Sequence, residues 1–397
     1  MKLSERSKLI KPAVTLALAA KAQTMRAEGI DLVNFTAGEP DFDTPQRIKE
    51  AAVQALKKGM TKYTDVRGIE PLREAVTEKY LKEFGLRYTR DEVLVSCGGK
   101  HALYNLIQAV IDHGDEVIIP APYWVSYSDM ILLAGGTPKL IPTREEDGFR
   151  ITPQQLKSAL TSKSRAFVLN SPSNPTGAAY SRDHLEALCR VLEQHDCLIF
   201  SDDIYEKIVY DGFRFHSIVS INPKLRERTI IFNSVSKTYA MTGWRIGFAI
   251  GPAPVISAAA KIQSQSTSNP TSIAQAAALE ALRGPQDEVK EMVREFQKRR
   301  DVIVKRLNSI PGLRCFNPQG AFYVFPNVRS LFREKAGENK LTSASDFTEY
   351  LLDKARVLAI PGEDFGSSEN IRISYATSLE EIEKGCERIE NAVKKLT

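Results

Sequence analysis

Two short apolar runs, Thr229 to Phe232 and Ile246 to Ile250, enclose a polar stretch with two hydroxyls (Ser234, Ser236), one amine (Lys237) and one guanidinium (Arg245). Hydroxyls and a guanidinium suit a phosphate, and the stretch would place a primary amine beside it. A loop lysine is ordinarily just solvated, so this reading depends on what other elements bring to it.

Four further apolar runs end in polar groups of complementary kinds. Val93 to Val95 leads into Ser96-Cys97-Gly98-Gly99-Lys100 and then a helix, whose free N–H groups favour an anion. Val117 to Ile119 leads to Trp124, whose flat indole can cover a planar ligand. Ala166 to Leu169 leads to the proline-rich loop Asn170 to Gly177, which holds Asn174. Leu198 to Phe200 leads to Asp202, Asp203 and Tyr205. Each has an ordinary explanation taken alone: a turn, a core tryptophan, a chain reversal, a helix cap. Together they place an anion site, an aromatic face, an amide, a carboxylate, a phenol and an amine along one side of one sheet.

The elements that must position these groups follow from the pattern. Short apolar runs from Val93 to Ile250 alternate with helices at 101–111, 182–195 and 272–283, as in a parallel sheet with crossover helices on both faces. Ligands bind at the carboxyl ends of strands in such sheets. Helices are also expected at 48–59 and 69–84, before the sheet, and a long charged one at 286–308. From Pro311 onward two strand candidates, Ala321 to Phe325 and Ile371 to Ser374, mix with helices at 345–355 and 378–395. The expected fold is α/β: a large domain over 46–285 with a mostly parallel sheet flanked by helices, and a smaller α+β domain from both chain ends, 1–45 and 286–397.

Composition narrows the classes. The 397 residues are 43% hydrophobic and 26% charged with a net charge of +5 and no basic block, so nucleic acid is not an expected partner. Five scattered cysteines without a CxxC pair, and five histidines without HExxH spacing, point to a reducing compartment and no metal site. The run Ala13 to Ala20 has a signal-peptide flavour, but Pro12 and Thr15 interrupt it and an amphipathic helix continues to Glu28, so a cytoplasmic protein is expected. No stretch approaches the roughly 20 apolar residues of a membrane span. The glycine fingerprints of dinucleotide and P-loop sites are absent.

The residues above, with Thr36 to Pro45, Pro122 to Tyr127, Ser173 to Gly177, Ser236 to Gly247, Gly320 to Tyr323 and Ile371 to Ala376, carry a resemblance over almost the whole chain. The sequence resembles the class I pyridoxal-phosphate-dependent aminotransferases of fold type I, close to the bacterial aspartate and aspartate–prephenate aminotransferases. The resemblance implies that Lys237 carries pyridoxal 5'-phosphate as a Schiff base and moves protons in catalysis. It implies that Asp202 pairs with the ring nitrogen, that Tyr205 and Asn174 reach the ring hydroxyl, and that Trp124 stacks on the ring. Gly98, Gly99, Lys100, Ser234, Ser236 and Arg245 would hold the cofactor, joined by Tyr63 from the second subunit of a homodimer. Arg372 would bind the substrate α-carboxylate beside Gly38, Trp124 and Asn174, with Lys100 and Thr15 receiving a side-chain carboxylate. Asp203 stands where a glutamate is usual; the spacing to Tyr205 keeps the cofactor contact on Asp202.

The implied reaction is amino transfer between aspartate and 2-oxoglutarate. Prephenate is an alternative acceptor, with Thr64 and Arg144 placed for extra contacts. Aromatic or neutral amino acid aminotransferases and carbon–sulfur lyases share the scaffold. Regulators that join this fold to a DNA-binding domain are a further class, for which the expected segment begins too close to residue 1.

Overall fold

The computed structural model describes residues 2–10, 14–336 and 339–396. Its centre is a seven-stranded sheet. In chain order the strands are β1 (Val93–Ser96), β2 (Glu116–Ala121), β3 (Thr137–Pro142), β4 (Ser164–Asn170), β5 (Leu198–Asp202), β6 (Thr229–Ser234) and β7 (Gly247–Ile250). Across the sheet the order is β1-β7-β6-β5-β4-β2-β3. Strands β2 to β6 run parallel to one another, and β7 runs antiparallel to both β1 and β6. The fold is α/β with a mostly parallel sheet, as the sequence leads one to expect.

Both faces of this sheet are buried, yet the period of two persists inside the apolar runs. Val93, Val95, Phe167, Leu169, Ile199 and Ile231 join a core with Leu72, Leu185 and Ala277 from helices on one face. Leu94, Val168, Phe200, Ile230 and Phe232 join another with Leu106 and Ile256 on the opposite face. The helices that supply these residues include Glu70–Phe84, Arg182–Leu192 and Ser272–Arg283 on the first face, and Gly99–Val110 and Ala253–Ser266 on the second. Among the described residues no helix is long and apolar enough to cross a membrane.

Among the elements that escape the sequence reading are one strand and one helix of the large sheet's layers. Strand β3, Thr-Pro-Lys-Leu-Ile-Pro, buries only Ile141, because it is an edge strand and needs neither a continuous apolar run nor every N–H. The helix Ala253–Ser266 opens on Ala-Pro and is rich in small residues, so its apolar stripe is faint.

A third apolar core gathers Val33 and Phe35 with Tyr205, Ile208 and Tyr210, and with residues from Met292 to Val393. It lies under a three-stranded antiparallel sheet in which Ile371–Ser374 is central, between Ile360–Pro361 and Tyr323–Val324. The long helices Asp287–Asn308 and Leu379–Lys394 pack there. The helix expected at 345–355 is an α-helix over Ala344–Tyr350 that continues as one π-turn, Leu351–Ala355.

Candidate active site

Gly247, the first residue of β7, stands in register with Ser96 at the end of β1 and with Ser234 at the end of β6. A Cβ at position 247 would overlap the backbone nitrogen of Gly99, and one at position 98 would overlap the Arg245 guanidinium. Gly98 also sits at φ +93°, where a side chain is strained. The missing side chains let the Gly98-Gly99 backbone and the Arg245 guanidinium close in on the ends of β1 and β6, where polar groups line a shallow cup. Its walls are Ser234 and Ser236, Arg245, and the start of the helix Gly99–Val110, whose first N–H groups, of Gly99 and Lys100, precede the intrahelical hydrogen bonds. Arg245 donates to the carbonyls of Thr242 at 2.8 Å and Cys97 at 3.4 Å, both neutral. The cup therefore suits an anion such as a phosphate.

A one-turn helix, Val235–Thr238, follows β6 without a break and carries Lys237. The Lys237 amine donates to the Gly38 carbonyl and lies 5.9 Å from the centre of the Phe322 ring. Burial pushes its pKa down to about 8, with Arg372 and Arg245 pushing the same way against Glu39 and Asp202. Such an amine can serve as nucleophile and as base near neutral pH.

Asp202 ends β5. Its Oδ2 accepts the Tyr127 hydroxyl at 2.5 Å and its Oδ1 the Ile204 N–H at 3.3 Å. Burial raises its pKa, while Tyr127, Ile204 and Lys237 hold it down. Asp203 turns to the other face, where its Oδ1 accepts the Ser201 hydroxyl at 2.6 Å. Burial pushes Asp203 well above the carboxylate range, Glu206 and Asp202 adding to the effect. With its carboxyl turned to Ser201, Asp203 leaves only the first of the two acids to the site.

Arg372 enters from the small sheet and is 2% exposed. Its Nη1 donates to Asn174 Oδ1 at 3.1 Å and its Nη2 to the Thr36 carbonyl at 3.0 Å. Its Nε has no partner among the described residues. The guanidinium lies over the rings of Tyr323 at 4.5 Å and Phe365 at 5.1 Å. A buried cation held only by neutral groups favours an incoming carboxylate. Asn170 joins these parts: its side chain donates to the Asp202 carbonyl at 3.1 Å and accepts the Asn174 N–H at 3.0 Å. Trp124 is half-buried, edge-on to Tyr127 at 5.3 Å, with the Lys100 amine 5.0 Å from the ring centre. Burial lowers the Lys100 pKa, and Arg245 adds to it.

Residues 30–389 match the family model described as aminotransferase class I and II. The chain belongs to this family. The aminotransferase is 51% identical to the aspartate/prephenate aminotransferase of Cereibacter sphaeroides over 98% of both chains. It is 48% identical to the aspartate aminotransferase of Geobacillus stearothermophilus, again over 98% of each. Among solved structures it resembles the aspartate aminotransferase of Rhizobium meliloti, with a TM-score of 0.96, 46% identity and 100% coverage of both chains. It also resembles that of Thermus thermophilus with maleate, with a TM-score of 0.91, 44% identity, and coverage of 99% of this chain and 100% of that one.

Not every expected residue of the aminotransferase meets at this site within one chain. Tyr205 is buried and shares a hydrogen bond with the Tyr323 hydroxyl at 3.0 Å. Tyr63 is 89% exposed and so packs against almost nothing of its own chain. Thr64 accepts from Gln275 at 3.1 Å, and Arg144 pairs with Asp147 at 3.1 Å on the surface. Thr15 belongs to the helix Val14–Ala27, and its side chain lies outside the described residues. Tyr127, Asn170 and Tyr323 escape the sequence reading as site residues. Tyr127 and Tyr323 lie inside stretches that carry the family resemblance, three residues after Trp124 and at the end of Gly320 to Tyr323.

Proposed function

We propose that this aminotransferase is a pyridoxal-phosphate-dependent aspartate aminotransferase that works as a cytoplasmic homodimer. The observation that carries the reading is the Lys237 amine, lowered to about 8, amid the Arg245 cup, the Asp202 carboxylate and the buried Arg372. The residues fit the cofactor: the cup beside the close-packed glycines 98, 99 and 247 would take the phosphate, and Asp202 Oδ1, which accepts only the Ile204 N–H, would accept a ring N–H. When bound, pyridoxal phosphate supplies an aldehyde for amine exchange and a ring that accepts the electron pair of a broken Cα–H bond.

The protein's own groups do the rest. Asp202 would hold the proton on the ring nitrogen. Asn174 and Tyr205 would hold the ring hydroxyl, and Trp124 would stack on the ring. Lys237 would supply the amine that anchors the cofactor and, when free and neutral, the base that takes and returns the substrate proton. The Arg372 fork, with Gly38 and Asn174 beside it, fixes the α-carboxylate so that the Cα–H bond stays in place. Ser234, Ser236, Arg245 and the Gly98-Gly99 backbone would hold the phosphate end, with Lys100 beside the cofactor and Tyr63 coming from the second subunit.

The names of the relatives, and the maleate in the Thermus structure, support a dicarboxylic substrate. Lys100, with Thr15, is the receiving pair for the side-chain carboxylate, and 2-oxoglutarate is the acceptor. The division into a cofactor domain at 46–285 and a smaller domain at 1–45 and 286–397 belongs to the same reading. Two cores flank the large sheet, and a third joins Val33 and Phe35 to the C-terminal part. Five free cysteines agree with a reducing compartment.

The deciding experiment mixes the cofactor-loaded protein with single amino acids and follows the visible absorbance of the bound cofactor. Aspartate and glutamate should bleach it; bleaching by alanine or phenylalanine alone would remove the dicarboxylate assignment. Prephenate as a second acceptor is favoured by the 51%-identical relative's name. Formation of arogenate from prephenate and an amino donor tests it, and no product would remove it.

A further inference from the structure

Tyr63 is the most exposed large apolar side chain of the described residues, yet the loop that presents it is tied down on both sides. Gln275, fully buried in the helix Ser272–Arg283, accepts the Ile69 N–H at 2.7 Å. It donates to Thr64 Oγ1 at 3.1 Å and to the Pro270 carbonyl at 2.8 Å. Gln263, fully buried in Ala253–Ser266, donates to the Val66 carbonyl at 2.6 Å and to the Val95 carbonyl at 2.8 Å. Its Oε1 accepts from Ser96 at 2.5 Å and Asn105 at 3.0 Å. Ser272 holds the Met60 carbonyl at 2.7 Å, and the Val95 N–H holds that of Arg67 at 2.9 Å. Gly68 lies so close to Val95 that a Cβ there would overlap it.

We propose that Gln263 and Gln275 are positioning residues that preset the loop 60–69, so that Tyr63 of one subunit enters the phosphate cup of the other already ordered. The inference rests on the homodimer reading above. Buried amides that make all four of their hydrogen bonds, as Gln263 does, or three of four, as Gln275 does, do more than fill space, which leucine or methionine does without a polar requirement. A loop fixed before association avoids the ordering cost that a free one meets on docking. Gln263 has a second attachment that sharpens the role. Ser96, which it holds, is the register partner of Gly247 in its own cup. The same side chain therefore braces the cup of its own subunit and the tyrosine lent to the next.

The test is a double-mutant cycle on cofactor affinity, measured by titrating the cofactor-free dimer with pyridoxal phosphate. Tyr63→Phe and Gln275→Met are made singly and together, with dimerisation checked by sedimentation. Each single change should weaken the Kd by about tenfold, the scale of one lost hydrogen bond. The double variant should be no weaker than the weaker single one, because Gln275 acts through Tyr63. Multiplying effects would assign Gln275 a general structural role and overturn the inference. If Tyr63→Phe leaves the Kd unchanged, the shared-site reading itself falls. Should Gln275→Met fail to fold, Thr64→Val cuts the same tether from the loop side. It should couple to Tyr63→Phe in the same way, and additivity there would overturn the inference equally.

Discussion

The Tyr127 hydroxyl donates to Asp202 Oδ2 over 2.5 Å, with both side chains buried. Burial works against the charge on Asp202, and this hydrogen bond is the largest of the influences that keep the charge there. Tyr127→Phe should therefore raise the Asp202 pKa further and move the acid limb of the kcat/KM profile to higher pH. A hydrogen bond to a charged group is worth roughly 1.5–3 kcal/mol, so the rate at neutral pH should fall about ten- to hundredfold. An unmoved acid limb would show that Tyr127 does not set the charge on Asp202.

The adjacent acids at the end of β5 should respond differently to the same substitution. Asp202→Asn removes a carboxylate that faces the site and should cost several kcal/mol of transition-state stabilisation, roughly a thousandfold or more in kcat. Asp203→Asn replaces a carboxyl that is turned to Ser201 and whose pKa burial pushes up, so kcat should stay within about threefold. The stability sign follows from a raised pKa: wild type loses stability as pH climbs through the native value of Asp203. The asparagine variant should lack that loss. Thermal unfolding across pH, with kcat for both variants, checks the pair.

Lys237 gives a pH dependence of the opposite kind. Its native pKa of about 8 lies below the ordinary 10.5, so between those values the unfolded chain holds a proton that the native amine has shed. The cost of burying this lysine therefore shrinks as pH rises through that window. The rate at which cofactor-free protein captures pyridoxal phosphate should rise with pH and level off above about 8. A rate still rising tenfold per pH unit at 9.5 would assign the amine an ordinary pKa. Lys237→Ala should capture no cofactor covalently and turn over no substrate.

Arg372 should tolerate lysine poorly. A lysine keeps the charge but loses the fork, one arm of which already belongs to Asn174. Arg372→Lys should raise the KM for amino acids by about ten- to hundredfold, the worth of one charged hydrogen bond, and leave cofactor affinity within about twofold. Equal losses in both would move Arg372 from substrate binding to general support.

Much of this was legible because the sheet repeats one signal. Each buried strand is a short apolar run, and a polar residue directly after it must lie at the carboxyl end, so Asp202 and Ser234 line up from the sequence. The edge strand β3 broke the rule because, unlike the covered edge strand β1, it tolerates prolines and exposed side chains. The direction of β7 was hidden for another reason: the apolar run reads the same in either sense, and only its register with Ser96 and Ser234 reveals it. Hydrogen bonds across the chain were least visible. Nothing at Tyr127 marks it as the donor to a residue 75 positions away, and Gln263 and Gln275 look like ordinary helix polar residues until their burial is known.

Because Gly247 answers to Ser96 on one side and Ser234 on the other, the reactive amine and the candidate grip on an α-carboxylate are mounted on different parts of the molecule. The segment bearing Lys237 begins and ends in one row of the large sheet, whereas Arg372 arrives from a separate small sheet with its own core. A small shift of one sheet against the other would therefore move a carboxylate held by Arg372 relative to the Lys237 amine and leave the cup beside Gly247 as it is.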